Sequence, residues 1–197
     1  MAAGLLETRN PFRDERASFL AGRFGIRLFI VSLVMLFGAT LIGFIVIRVQ
    51  LGERGEWPVL PSLPAWLLLS TLLLVVSSGT VQASVVAYTR GAPAVARALF
   101  GLTFALGVAF LAIQAVSWIG WLADLERTVE STPGQRFAWT SFYVLTGTHA
   151  AHVIGGLVPM GWILLRPLGP GVRYCAAYWH FLGGVWLGIY AALAIGM

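Results

Sequence analysis

IRLFIVSLVMLFGATLIGFIVI, residues 26–47, decides the fold. Its one charge is Arg27, and every other position is apolar, small or a hydroxyl. The run lacks the strict apolar–polar alternation of a transmembrane barrel strand. As a helix rising 1.5 Å per residue it is long enough to cross a hydrocarbon core of about 30 Å. Working outward, four further runs have the same character, at 65–88, 98–122, 138–165 and 175–196. The expectation is an all-α, polytopic membrane protein: a five-transmembrane-helix bundle over residues 26–197. Residues 1–25 form a cytoplasmic or interfacial segment ahead of it.

Composition agrees. Of 197 residues, 58% are hydrophobic and 11% charged, where a soluble domain carries about 25% charged residues. Mean hydropathy is +0.84. All thirteen basic residues are Arg, and the net charge of +5 is spread over termini and connectors. Nucleic-acid binding would want a clustered basic face, so no nucleic-acid partner is expected. Cys175 is the single cysteine, which rules out an internal disulfide and reads as a small packing residue. Residues 7–16 (ETRNPFRDER) are strongly charged and are not followed by a short apolar region with a small-residue cleavage site, so they do not read as a secretory signal.

The connectors are RVQLGERGEWPVLPSLP (48–64), TRGAPAVAR (89–97), DLERTVESTPGQR (124–136) and RPLGPGVR (166–173), each carrying Pro and Gly breakers. Nine of the thirteen Arg lie in the N-terminal segment with Arg27 and in the second and fourth connectors. The positive-inside rule then puts the N-terminus in the cytoplasm and, after five spans, the C-terminus outside a bacterial inner membrane. Trp57, Trp66, Trp118, Trp121 and Trp139 fall near the ends of spans, where indole rings favour the interface. Small residues recur at four-residue spacing in Gly147, Ala151 and Gly155, and again in Gly184, Gly188, Ala192 and Gly196. Such rows let helices approach closely in lipid, so these residues are expected to face a neighbouring helix, of this chain or of another protein.

All three histidines, His149, His152 and His180, lie inside the last two runs. An ionisable group at membrane depth is a candidate functional site. His149 and His152 are three apart and share a helix face. Three readings are open: a three-nitrogen metal site, axial haem ligation, or hydrogen bonding that packs helices. All eight Asp and Glu residues lie outside the spans. This weakens a metal site, whose His ligands often lean on a carboxylate, and it weakens proton-coupled transport by a small carrier. Hydrogen bonding is the favoured role, and no catalytic or metal-binding residue is assigned.

At these same residues the chain resembles subunit III of the haem-copper respiratory oxidases, in the short five-helix bacterial form. The resemblance is carried by FYVLTGTHAAHVIGGL (142–157), YWHFLGGVWL (178–187) and RLFIVSLVMLF (27–37), with weaker support from LPAWLLLSTLLLVVSSGTVQ (63–82) and LGVAFLAIQAVSW (106–118). It covers about residues 24–196. The Tyr178-Trp179-His180-Phe181 block, followed by Trp186 and preceded by the His pair, is its most specific part.

Three departures stand out. Where the family usually has Glu in its first span, Glu in the span matched here by 98–122, and Asp in its last span, this chain has Leu33, Ser117 and Gly183. The family's first-span Glu is linked to carbodiimide reactivity and to upkeep of proton uptake, roles that do not transfer to Leu33. Carbodiimide is therefore expected to leave residues 26–47 unmodified; a peptide from that span carrying the label would overturn the alignment. The resemblance implies a non-catalytic structural subunit without redox metal of its own. It would flank catalytic subunit I, and subunit II, of a terminal oxidase that reduces O2 to water, with haem and copper in those partners and phospholipid held by this chain. Arg27 and Arg48, bracketing the first span, are the candidate phosphate contacts. The alternatives are the accessory subunit of a nitric oxide reductase, which shares this subunit fold, and an independent intramembrane haem or metal enzyme using the three histidines.

Overall fold

The computed structural model describes residues 15–56, 65–127 and 133–196. Five helices follow one another: α1 (Glu15–Glu53), α2 (Ala65–Thr89), α3 (Pro93–Arg127), α4 (Pro133–Leu164) and α5 (Gly171–Gly196). Each coincides with one of the five apolar runs. The helices overshoot those runs: α1 has 39 residues, about 58 Å at the usual rise. Residues 15–25, expected as a segment ahead of the first span, are the opening turns of α1 instead. The apolar run set the estimate, whereas a helix continues until its backbone groups find another partner.

The ends of α1 and α2 show how that happens. Gly91 has φ 74°, its N–H donates to the Tyr88 carbonyl at 3.2 Å and the next N–H, of Ala92, reaches Ala87 at 3.0 Å. These are the two bonds of a Schellman cap, with glycine at the left-handed position. Pro93 then opens α3, where a missing N–H is harmless. The same pair of bonds closes α1, from Gly55 to Gly52 and from Glu56 to Leu51, with Gly55 at φ 68°.

Helices α2, α3, α4 and α5 form a closed four-sided ring, each packed on its two neighbours, and α1 lies outside it against α4 and α5. Hydroxyls stitch the first side: Ser84 Oγ donates to the Ala96 carbonyl at 2.8 Å, and Thr80 and Thr103 share a bond of 2.8 Å. Between α3 and α4, Tyr143 OH donates to the Trp118 carbonyl at 3.1 Å and Trp118 Nε1 to Thr146 Oγ1 at 3.1 Å. Arg97 closes the end of α4 by donating to the carbonyls of Leu164 (3.0 Å) and Arg166 (2.6 Å), a cation at the negative pole of a helix.

Outside the ring, α1 buries only Leu33, Phe37 and Phe44 among its described apolar side chains and exposes Leu28, Val31, Val34, Met35 and Ile42. In water such a surface would be a liability, whereas in lipid it is the proper coat of a membrane helix. By length and composition α1, α2, α3 and α5 are each able to cross a membrane. Helix α4 is 32 residues long but carries the His pair and Thr140, Thr146 and Thr148, which lower its hydropathy; it stands in the ring between α3 and α5. Among the described residues the chain is thus an all-α, multi-pass membrane bundle of five helices, four of them long and apolar enough to span.

Among the tryptophans expected at the interface, Trp66 is exposed while Trp121 is buried and Trp118 and Trp139 are half-buried. Trp121 packs on Phe142 at 4.2 Å, so ring packing has overridden the interfacial preference there. Trp57 lies outside the described residues.

Candidate functional site: the histidine-bearing faces of α4 and α5

His149 projects into the centre of the ring and is fully buried. Aromatic rings surround it: Trp186 at 5.0 Å, Phe110 at 5.8 Å and perpendicular, Phe37 at 6.3 Å. Neither ring nitrogen has a hydrogen-bond partner among the described residues, so the aromatic faces offer its N–H only weak acceptors. His152, one turn on, turns towards α1. Its Nδ1–H donates to the Thr148 carbonyl at 2.8 Å, and its ring meets Phe37 edge-on at 5.2 Å.

His180 stands apart from that pair, on the outer side of α5 against α2. Nε2–H donates to Gln82 Oε1 at 3.2 Å and Nδ1 shares a hydrogen bond with the Ser78 hydroxyl, so both ring nitrogens are used. Among the described residues no group of three His, Cys, Asp or Glu side chains is placed to hold a metal ion. The three histidines therefore do not converge.

The rest of the aromatic block fastens α5 to its neighbours. Tyr178 OH donates to the His152 carbonyl on α4 at 3.0 Å; Trp179 Nε1 donates to Ser77 Oγ and Trp186 Nε1 to Thr71 Oγ1 on α2, both at 2.9 Å. Phe181 is half-buried against the core. Trp179 and Trp186 are seven apart, two helical turns, so they leave α5 on one face. Their partners Ser77 and Thr71 lie six apart on α2.

Within the chain the small-residue rows are mostly open: a Cβ on Gly147, Gly155 or Gly184 would meet nothing within 4 Å and Ala151 is exposed, whereas Gly188 has Leu41 at 3.8 Å and Ala192 packs on the core. The close approaches are at Gly107, where a Cβ would stand 2.6 Å from Trp179, and Gly156, 2.9 Å from Tyr178. Large rings, rather than facing backbones, fill this core, so glycines are needed beneath the rings.

Ala151 and Gly155 line a cavity instead. It has a volume of about 400 Å³ between α1, α4 and α5, and Phe29, His152, Pro159 and Tyr178 share its wall. Pro159 also removes the backbone donor that the Gly155 carbonyl would use in an uninterrupted helix. A second cavity of about 360 Å³ adjoins it, lined by Arg23, Arg27 and Arg173, and the two share Ile26 and Tyr174. Arg27 was expected at a phosphate; Arg23 and Arg173 were not singled out, because only folding brings the start of α1 beside the start of α5. Arg48 lies at the opposite end of α1 and donates to the Ile195 carbonyl at 2.7 Å.

Three positions at which the resemblance implies carboxylates elsewhere in the family can be placed. Leu33 is buried in the core, Ser117 is buried with Oγ donating to the Ile113 carbonyl at 2.9 Å, and Gly183 opens on a groove between α2 and α5.

The fold and these faces define a class: a polytopic helical membrane protein whose intramembrane polar groups join helix to helix. A scan against protein-family models finds no match. Among curated proteins, the chain is 33% identical over 134 residues to cytochrome c oxidase subunit 3 of Corynebacterium diphtheriae, covering 64% of this chain and 63% of that protein. It is 30% identical over 184 residues to the probable cytochrome c oxidase subunit 3 of Nocardia farcinica, covering 86% and 85%. The subunit of Thermostichus vulcanus is 26% identical over 185 residues. The chain belongs to the cytochrome c oxidase subunit 3 family.

Proposed function

We propose that the chain is the non-catalytic structural subunit of a respiratory haem-copper oxidase, packed beside catalytic subunit I and subunit II in a bacterial inner membrane, and that it holds phospholipid. The observation that carries this reading is the use made of the aromatic block. Tyr178, Trp179, His180 and Trp186 each reach a neighbouring helix by a hydrogen bond, the work of a scaffold rather than of a reaction centre. The names of the relatives favour an oxidase over a nitric oxide reductase. Haem and copper belong to the partner subunits in this reading, and this chain contributes no ligand to them.

The paired cavities support the lipid role. Three guanidinium groups, from Arg23, Arg27 and Arg173, gather at one mouth, and Arg matches phosphate with a two-pronged donor. Behind them the adjoining apolar cavity suits an acyl chain. With the N-terminus in the cytoplasm, the lipid would come from the cytoplasmic leaflet, where anionic headgroups favour such basic clusters.

Two measurements test the reading. Purification of the chain should bring with it a larger haem-bearing subunit; isolation without one would overturn the scaffold role. In that complex, replacing Arg27 and Arg173 together with Gln should weaken phospholipid retention by about tenfold or more, as loss of charge-assisted bonds predicts. The same change at Arg54 should leave it unaltered. Equal phospholipid content in all three preparations, read by mass spectrometry of lipid extracts, would remove the lipid role.

A further inference from the structure

A polar cluster stands on the outside of the ring at membrane depth. Ser78 and Gln82 lie one turn apart on α2, and His180 reaches them from α5. Gln82 and His180 are exposed. The imidazole is satisfied on both nitrogens, but Gln82 is satisfied only on its oxygen; its amide N–H groups have no partner among the described residues.

Depth makes this matter. Gln82 sits seven residues before the end of α2 at Thr89, about 10 Å along the axis. A core of about 30 Å centred on a helix of this length leaves the amide roughly 7 Å inside the hydrocarbon. A long side chain could normally bend towards the headgroups, but His180 tethers the Gln82 oxygen. Lipid tails offer no acceptor, and an unmet amide donor in hydrocarbon is strongly disfavoured.

Beside the cluster runs a groove of about 270 Å³ between α2 and α5, floored by Gly183 and Gly184 and rimmed by Val75 and Leu187. The Cβ positions of both glycines are open. From the unmet amide beside this open groove we infer that the α2–α5 face packs against a transmembrane helix of another oxidase subunit. That helix presents a hydrogen-bond acceptor to Gln82 and lays an apolar ridge over Gly183 and Gly184. An acyl chain would fill the groove equally well but would leave the amide unmet. The inference rests on the reading of the chain as an oxidase subunit.

The test uses the intact complex, with the photo-crosslinker benzoylphenylalanine at Val75, an exposed position that no interior packing requires. Irradiation should join the chain to a different subunit of the oxidase. In parallel, Gln82→Leu should lower retention of the chain through detergent washing by about threefold to tenfold, the range for an interhelical hydrogen bond in a membrane. Adducts confined to lipid, or formed only with a second copy of this chain, would overturn the interface while leaving subunit membership intact. Recovery of the chain without any haem-bearing partner would overturn both.

Discussion

Replacing Trp186 with alanine is expected to destabilise the bundle by about 3–5 kcal/mol, the range for deleting a buried large aromatic side chain. The side chain is fully buried. Its ring meets Phe110 perpendicularly at 5.1 Å and lies 5.0 Å from His149, so truncation would open a void at the centre of the ring. It also removes the donor to Thr71. The two contributions are separable because they differ in size. An interhelical hydrogen bond in a membrane averages about 0.6 kcal/mol, so Trp186→Phe, which keeps most of the ring, should cost much less than Trp186→Ala. Thermal unfolding of the purified complex, followed by loss of this subunit, checks the order. If Phe were as damaging as Ala, the bond to Thr71 rather than the packing would hold the core together.

Gly107→Ala is the second large effect, although it adds one methyl group. That carbon would stand 2.6 and 2.9 Å from two atoms of the Trp179 ring and 3.0 Å from Leu157. The indole is buried and its Nε1 is fastened to Ser77, which limits its retreat. Overpacking of this kind costs about 1–3 kcal/mol, and Gly107→Val should cost more. Gly147→Ala makes a matched control on the same scale. Nothing lies within 4 Å of its Cβ position, so its effect should stay within about 0.5 kcal/mol. Equal losses at both positions would mean that the ring of Trp179 does not rest on Gly107. Trp179→Phe, by shrinking the ring, should relieve part of the Gly107→Ala defect but none of an effect arising in α3 alone.

The contrast between these two glycines shows where sequence reasoning stopped. Gly147 belongs to a regular row of small residues, and Gly107 belongs to no such row. Yet the regular row faces open space and the cavity, and the isolated glycine lies beneath an indole. In a soluble helix the apolar stripe would have named the inward face. Here apolar residues surround each helix, since lipid accepts them as readily as the core does. Patterning therefore could not distinguish Leu33, which is buried, from Val34, which is not.

The histidines illustrate the same limit. Their presence within apolar runs and the surrounding motifs were legible, and those motifs led to the family that the relatives support. Their surroundings were not legible. One helical turn separates His149, enclosed by aromatic rings, from His152, which lines a cavity, and His180 faces outward with Ser78 and Gln82. A three-nitrogen metal site was a fair question of the sequence; the placement of α4 and α5 keeps His180 away from the other two.

The sequence by itself determined the number and class of the elements. Runs of about twenty apolar residues divided by Pro, Gly and Arg have few stable solutions in a bilayer other than helices, because every backbone donor and acceptor must be met within the segment. Only the tertiary structure decided which side of each helix turns inward, which glycines bear a ring, and that Arg23 and Arg27 at the start of α1 come to stand beside Arg173 of α5. Those choices depend on interlocking shapes and single hydrogen bonds between residues distant in the chain, and a uniformly apolar helix carries no mark of them in its own pattern.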